Sequence, residues 1–120
     1  MIDNLDQVER LMDRLETALP LPARATPAML ATLHKRSSDI SRSPRCVVKG
    51  LHYLGDEGGI MCEVSFLESD DKRVVITSIT HLDFDPRLHL TREIAAYQKH
   101  RTKRLRRQHA LEAAMVPYSY

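Results

Sequence analysis

Tryptophan is absent from this 120-residue chain, and Phe (two) and Tyr (four) are scarce. The core must therefore be aliphatic, built from Leu, Ile, Val, Ala and Met. The same scarcity argues against a module that stacks a row of bases on an exposed aromatic sheet. Cysteine is nearly absent too. Cys46 and Cys62 make neither a CxxC pair nor a disulfide framework, so both thiols are expected free in a reducing cytosol. No apolar run approaches the roughly 18 residues of a membrane span. The acidic, amphipathic opening Met-Ile-Asp-Asn-Leu-Asp-Gln-Val-Glu has no secretory h-region.

Motifs of catalysis and recognition are missing as well. There is no GxSxG, HExxH, EF-hand loop, helix-turn-helix, RNP, KH or zinc-finger signature. Gly55-Asp56-Glu57-Gly58-Gly59 lacks the Gly-Lys-Ser/Thr ending of a phosphate loop and carries two acids, so it reads as a hairpin turn. No cofactor is implied.

What the chain does have is a basic run, Lys99-His100-Arg101-Thr102-Lys103-Arg104-Leu105-Arg106-Arg107. From Arg87 to His109 eight Lys/Arg face one acid, Glu93, a local charge of +7 in a chain whose total is only +2. A charge so concentrated meets a polyanion or is neutralised by acids elsewhere in the assembly.

Length and composition argue for one α+β domain over 1–120, ordinary in its apolar fraction of 42%. Residues 4–19 read as an amphipathic helix with Asn4 as N-cap and Gln7 at the capping-box position. Leu5, Val8, Leu11, Met12, Leu15 and Leu19 share one face of it, beside an acidic stripe of Asp6, Glu9, Asp13 and Glu16. Pro20 and Pro22 stop that helix. A short helix over 27–36 follows, capped by Thr26 with Pro27 at its first position.

Residues 37–45 are polar and serine-rich, and read as a mobile loop. Residues 46–82 then predict a three-stranded antiparallel meander. Its strands are Cys46–Leu54, Ile60–Leu67 and Arg73–Leu82, joined by the glycine turn and by Ser69-Asp70-Asp71-Lys72. Ile60, Cys62, Val64 and Phe66 share the inner face. A long basic helix over 87–115, starting at Thr91 if the segment after Pro86 is irregular, closes the fold before Pro117 and a short tail. The expected architecture is two N-terminal helices, a meander and a long helix, with helices on one face of the sheet.

On a helical wheel of residues 90–115, Leu90, Ile94, Tyr97, Gln108, Leu111 and Met115 lie on one side, with Leu105 at its edge. Arg92, Lys99, Lys103 and Arg106 lie opposite, with Arg107 beside them. Arg101 and Arg104 fall within the otherwise apolar face. Leu105 is the only large aliphatic residue between Gln98 and His109, so this third is expected to stay out of its own core.

Three readings follow. In the first, Arg92, Lys99, Lys103, Arg106 and Arg107 bind nucleic-acid phosphates without sequence preference. In the second, Arg101, Arg104, Leu105, Leu111 and Met115 contact an acidic protein partner or a second copy in a homo-oligomer. In the third, the acidic stripe of the first helix pairs with the basic helix inside one monomer, through bonds that contribute little.

Two further clusters carry chemistry on paper. His81, Asp83 and Asp85 alternate along the end of the third strand, with His89 and Glu63 within reach, as a metal-dependent enzyme would need. Turn and cap roles explain Asp83 and Asp85 more simply. Cys46, Cys62 and His52 could meet in the hairpin, with His52 roughly opposite Cys62, but zinc wants four ligands. The reading that fits best is a non-catalytic protein acting through its last helix.

Overall fold

The computed structural model describes residues 2–36, 43–67 and 74–115, with the backbone alone at 36 and 112–115. It is an α+β fold. The chain runs α1 (Leu5–Ala18), β1 (Leu21–Ala25), α2 (Pro27–Arg36), β2 (Arg45–Tyr53), α3 (Gly55–Gly58), β3 (Ile60–Phe66), β4 (Val75–Ser78), a 3-10 turn (Ile79–His81), β5 (Leu82–Asp83) and α4 (Thr91–Met115). The strands form one antiparallel sheet in the order β4-β3-β2-β1-β5.

The α1 helix starts where a capping asparagine precedes a helical apolar period: the Asn4 side chain accepts from the Gln7 amide at 3.1 Å. Val8, Leu11 and Leu15 are buried, and they meet the inner face of the sheet in one core cluster with Met29, Ile79, Leu90, Ile94 and Tyr97. In β3 the alternation is complete, with Ile60, Cys62, Val64 and Phe66 inward. On the other face Arg24, Arg45, Lys49, His52 and Ile76 are exposed, and no such layer covers them among the described residues.

The three-stranded meander is thus part of a larger sheet. The α1 helix ends at Ala18, ahead of Pro20 and Pro22, but the Leu-Pro-Ala-Arg-Ala segment that follows is strand β1, with Leu21, Ala23 and Ala25 buried. Proline removes a ladder donor, and β1 tolerates Pro22 because β5 reaches only Arg24 and Ala25. At Pro22, β1 is paired on one side alone, with Val47.

The third strand is broken. It leaves β4 at Ser78, whose hydroxyl accepts from the Thr80 amide at 3.2 Å, and turns through Ile79 into the core. The segment from Leu82 then pairs with β1, which places β4 and β5 on opposite edges. Gln98 holds this crossover by donating from Nε2 to the carbonyls of Ile79 and Leu82, both at 2.7 Å.

The glycine turn is a single helical turn, α3, between β2 and β3. Gly55 and Gly59 take positive φ at its two ends, and the Leu54 amide bonds to the Gly59 carbonyl at 2.9 Å. The α4 helix begins at Thr91, after an irregular stretch in which Asp85 accepts from the Arg87 amide at 2.9 Å. The predicted loop at 37–45, beyond Ser43, Pro44 and Arg45, lies outside the described residues, as do the turn at 69–72 and the tail.

Candidate functional site

The 25 residues of α4 make a rod about 37 Å long. Its first half is fixed by burial of Leu90, Ile94 and Tyr97 on one face. Among the described side chains Arg101 is the last buried one; from Lys103 to Leu111 every side chain is exposed except that of Leu105, which is half-buried. The second half of α4 therefore leaves the body of the protein.

Arg101 corrects an expectation. It belongs to no partner surface: it is 3% exposed and paired with a carboxylate of its own chain. Its Nη1 donates to Asp3 Oδ2 at 3.0 Å and its Nη2 to the Asp56 carbonyl at 2.9 Å. The same Asp3 oxygen accepts from the Tyr53 hydroxyl at 2.9 Å and the Tyr97 hydroxyl at 3.0 Å. Burial, reinforced by that carboxylate, pushes the Tyr53 hydroxyl up to about 12. Beside this node the His100 ring meets the Ile2 carbonyl at 3.2 Å, and the Ile2 amide donates to Asp56 at 2.8 Å. The residues preceding α1 are thereby docked onto α4 and α3. An arginine on an apolar helix face is here a buried structural cation.

The opposite face stays open. Arg92, Lys99, Lys103, Arg106 and Arg107 are exposed, and none forms an ion pair with a described residue. The acidic stripe of α1 does not neutralise them. Asp6, Glu9, Asp13 and Glu16 are themselves exposed, and the one charged link between α1 and α4 among the described residues has the reverse sense, Arg14 to Glu93. That link removes the only acid of the basic stretch. From Arg92 to Arg106 the ridge runs about 21 Å along the helix.

Two grooves flank β5. One, of about 500 Å³, lies between β5 and α4, and Thr80, Asp83, Gln98, Lys99, Lys103 and Arg106 line it. The other, of about 530 Å³, is lined by Arg24, Arg45, Leu67, Phe84, Pro86 and Arg87. Asp83 borders both. Sequence reasoning missed the second groove, because it depends on β1 and β5 being neighbours. Arg24 stands in register opposite Arg45 on one side and Asp83 on the other.

Of the remaining predicted contacts, Arg104 is exposed, Leu105 is half-buried and Leu111 is 58% exposed, while the side chain of Met115 lies outside the described ones. His81, Asp83 and Asp85 are not brought together. His81 Nδ1 lies 2.9 Å from the Thr77 hydroxyl, and Asp85 forms an ion pair with Arg87 at 2.8 Å, which holds its carboxyl below the usual range. His89 is exposed.

Cys46, Cys62 and His52 are not brought together either. The register sets His52 against Met61 and Leu51 against Cys62, one residue from the predicted alignment, so His52 faces outward and meets Glu63 at 2.9 Å. Burial pushes the Cys46 thiol up to about 11 and the Cys62 thiol up to about 12. Among the described residues no group of three or more His, Cys, Asp or Glu side chains is placed to hold a metal ion, and no helix is long and apolar enough to cross a membrane.

No family model matches the chain, and neither a curated protein nor a solved structure matches it.

Proposed function

We propose that this is a non-catalytic protein that binds nucleic acid without sequence preference, holding backbone phosphates with Arg92, Lys99, Lys103, Arg106 and Arg107. The observation that carries the reading is the set of exposed cations along α4 with no described acid to pair them. Lysine and arginine aligned along one rod suit a regularly spaced row of phosphates, which position a protein without specifying a sequence. A reducing cytosol suits the two free, buried thiols.

The test is fluorescence anisotropy of nuclease-treated protein with a generic duplex at 50 and 200 mM salt. Four phosphate contacts predict roughly a hundredfold loss of affinity over that range. Micromolar binding with that loss, abolished by Lys99→Glu/Lys103→Glu/Arg106→Glu, is the expected result. No binding at 50 mM salt overturns it.

A second reading rests on Leu111, 58% exposed on the projecting half of α4. There Arg104, Leu105, Leu111 and Met115 contact an acidic protein partner or a second copy of the chain. Light scattering decides between them: a defined dimer mass that Leu105→Glu or Leu111→Glu abolishes supports this reading, and a monomer at all concentrations removes the homo-oligomer.

A further inference from the structure

The groove between β5 and α4 points to the kind of nucleic acid, and this step rests on the function proposed above. We infer that this groove selects RNA, with Lys99, Lys103 and Arg106 holding phosphates on one wall and Asp83 accepting a hydrogen bond from a ribose 2′-hydroxyl on the other.

The two walls carry opposite charge and do not neutralise each other. Lys99, Lys103 and Arg106 line the groove from α4, and Asp83 lines it from β5. All four are exposed. Among the described residues Asp83 makes no ion pair, either with these cations or with Arg24, its register neighbour on β1. The spacing of the walls is set by the fold. Gln98, the residue before Lys99, donates to the carbonyls of Ile79 and Leu82, both at 2.7 Å, and Leu82 directly precedes Asp83. The two walls are thus in place before a ligand arrives, which lowers the cost of ordering them on binding.

A purely anionic ligand fits this arrangement poorly. A carboxylate on the wall of a phosphate groove repels the charge that the three cations attract. The ligand that suits both walls is anionic along one edge and presents a hydrogen-bond donor beside it. Every base carries donors, but at positions that differ from base to base, so a contact to them reads sequence. The ribose 2′-hydroxyl is a donor at the same position in every nucleotide, close to the phosphate, and deoxyribose lacks it. A carboxylate is a strong acceptor for such a hydroxyl. RNA therefore meets the cations and the carboxylate together without a sequence preference. In an A-form helix these hydroxyls lie along the wide, shallow minor groove, where an exposed side chain reaches them.

The experiment measures the anisotropy of fluorescein-labelled duplexes of one sequence, made as RNA, as DNA and as 2′-fluoro RNA, at 50 mM salt. The 2′-fluoro duplex keeps the A-form and lacks the donor. The wild type is expected to bind RNA about tenfold more tightly than either of the others, the weight of one charge-assisted hydrogen bond. Asp83→Ala is expected to erase the difference between RNA and 2′-fluoro RNA. It is not expected to weaken DNA binding, because it removes a repulsive charge along with the acceptor. Lys103→Ala is expected to weaken all three duplexes alike. Equal affinity of the wild type for RNA and 2′-fluoro RNA overturns the hydroxyl contact and leaves the phosphate ridge standing. An Asp83→Ala protein that keeps the tenfold difference overturns the role of Asp83 in the same way. Failure of the wild type to bind any of the three overturns the ridge, and the selection of RNA with it.

Discussion

Arg101 Nη1 and Asp3 Oδ2 lie 3.0 Å apart across 98 residues of sequence, and both side chains are almost wholly buried. The two tyrosine hydroxyls on the same carboxylate oxygen give it three donors, whereas Oδ1 has no partner among the described residues. A buried pair is costly to desolvate, and breaking it by removing one partner is worse, because the other charge stays buried alone. Arg101→Met is therefore expected to destabilise the protein by about 3–5 kcal/mol in urea unfolding. Asp3→Leu/Arg101→Met is expected to cost clearly less than the sum of its singles. Strict additivity of the two would show that the pair is not the source of the loss.

Gly59 presses on the same node. Its φ is 65° and its ψ is −145°, and a Cβ there would lie 2.5 Å from the Tyr97 hydroxyl and 2.7 Å from the Arg101 guanidinium. Gly55 also has positive φ, at 63°, but a Cβ added to it meets nothing within 4 Å. Gly55→Ala is expected to cost about 1–2 kcal/mol, the backbone term alone. Gly59→Ala is expected to exceed that by more than about 1 kcal/mol, because the node must shift as well. Equal losses by thermal unfolding would mean that the close approach has no energetic weight.

Much of this was legible in the sequence, for reasons of period. Val8, Leu11 and Leu15, the alternation from Ile60 to Phe66, and the Leu90–Ile94–Tyr97 face are local patterns that tertiary structure respects. So is the exposure of Lys99, Lys103 and Arg106 on the opposite face of α4. Strand β1 was not legible because it holds a proline and no β-branched residue, and its alternation shows only once β2 and β5 flank it. Arg101 stood out as a cation on an apolar face, yet nothing local indicates Asp3 as its partner. The groove at Phe84 needed both a non-local pairing and the crossover through Ile79.

The thiols give a prediction with a definite sign. Cys46 and Cys62 titrate near 9 when exposed, and burial raises them to about 11 and about 12. At pH 8 the folded protein is expected to resist alkylation by iodoacetamide, with both thiols reacting only after unfolding. A raised folded value means that the native state holds its proton more tightly than the unfolded chain. The stability contributed is therefore complete below about pH 9 and is lost as pH rises toward 11 and 12, at up to about 1.4 kcal/mol per pH unit for each thiol. Cys62→Ser is expected to remove part of that alkaline slope. Rapid labelling at pH 8, with the protein still folded, would contradict the buried positions.

Neighbouring cations of one run also separate stability from binding. Arg101 and Lys103 are two residues apart, but one is buried in an ion pair and the other exposed without a described acid. Lys99→Ala, Lys103→Ala and Arg106→Ala are each expected to leave unfolding within about 0.5 kcal/mol of wild type, as surface changes do. Each is also expected to reduce the slope of log affinity against log salt on a duplex by about 0.9, one phosphate contact per side chain. The three losses should add, since every residue meets a different phosphate. Arg101→Ala should instead unfold the protein at lower urea. A Lys103→Ala protein with an unchanged salt slope would place the phosphate track elsewhere than on α4.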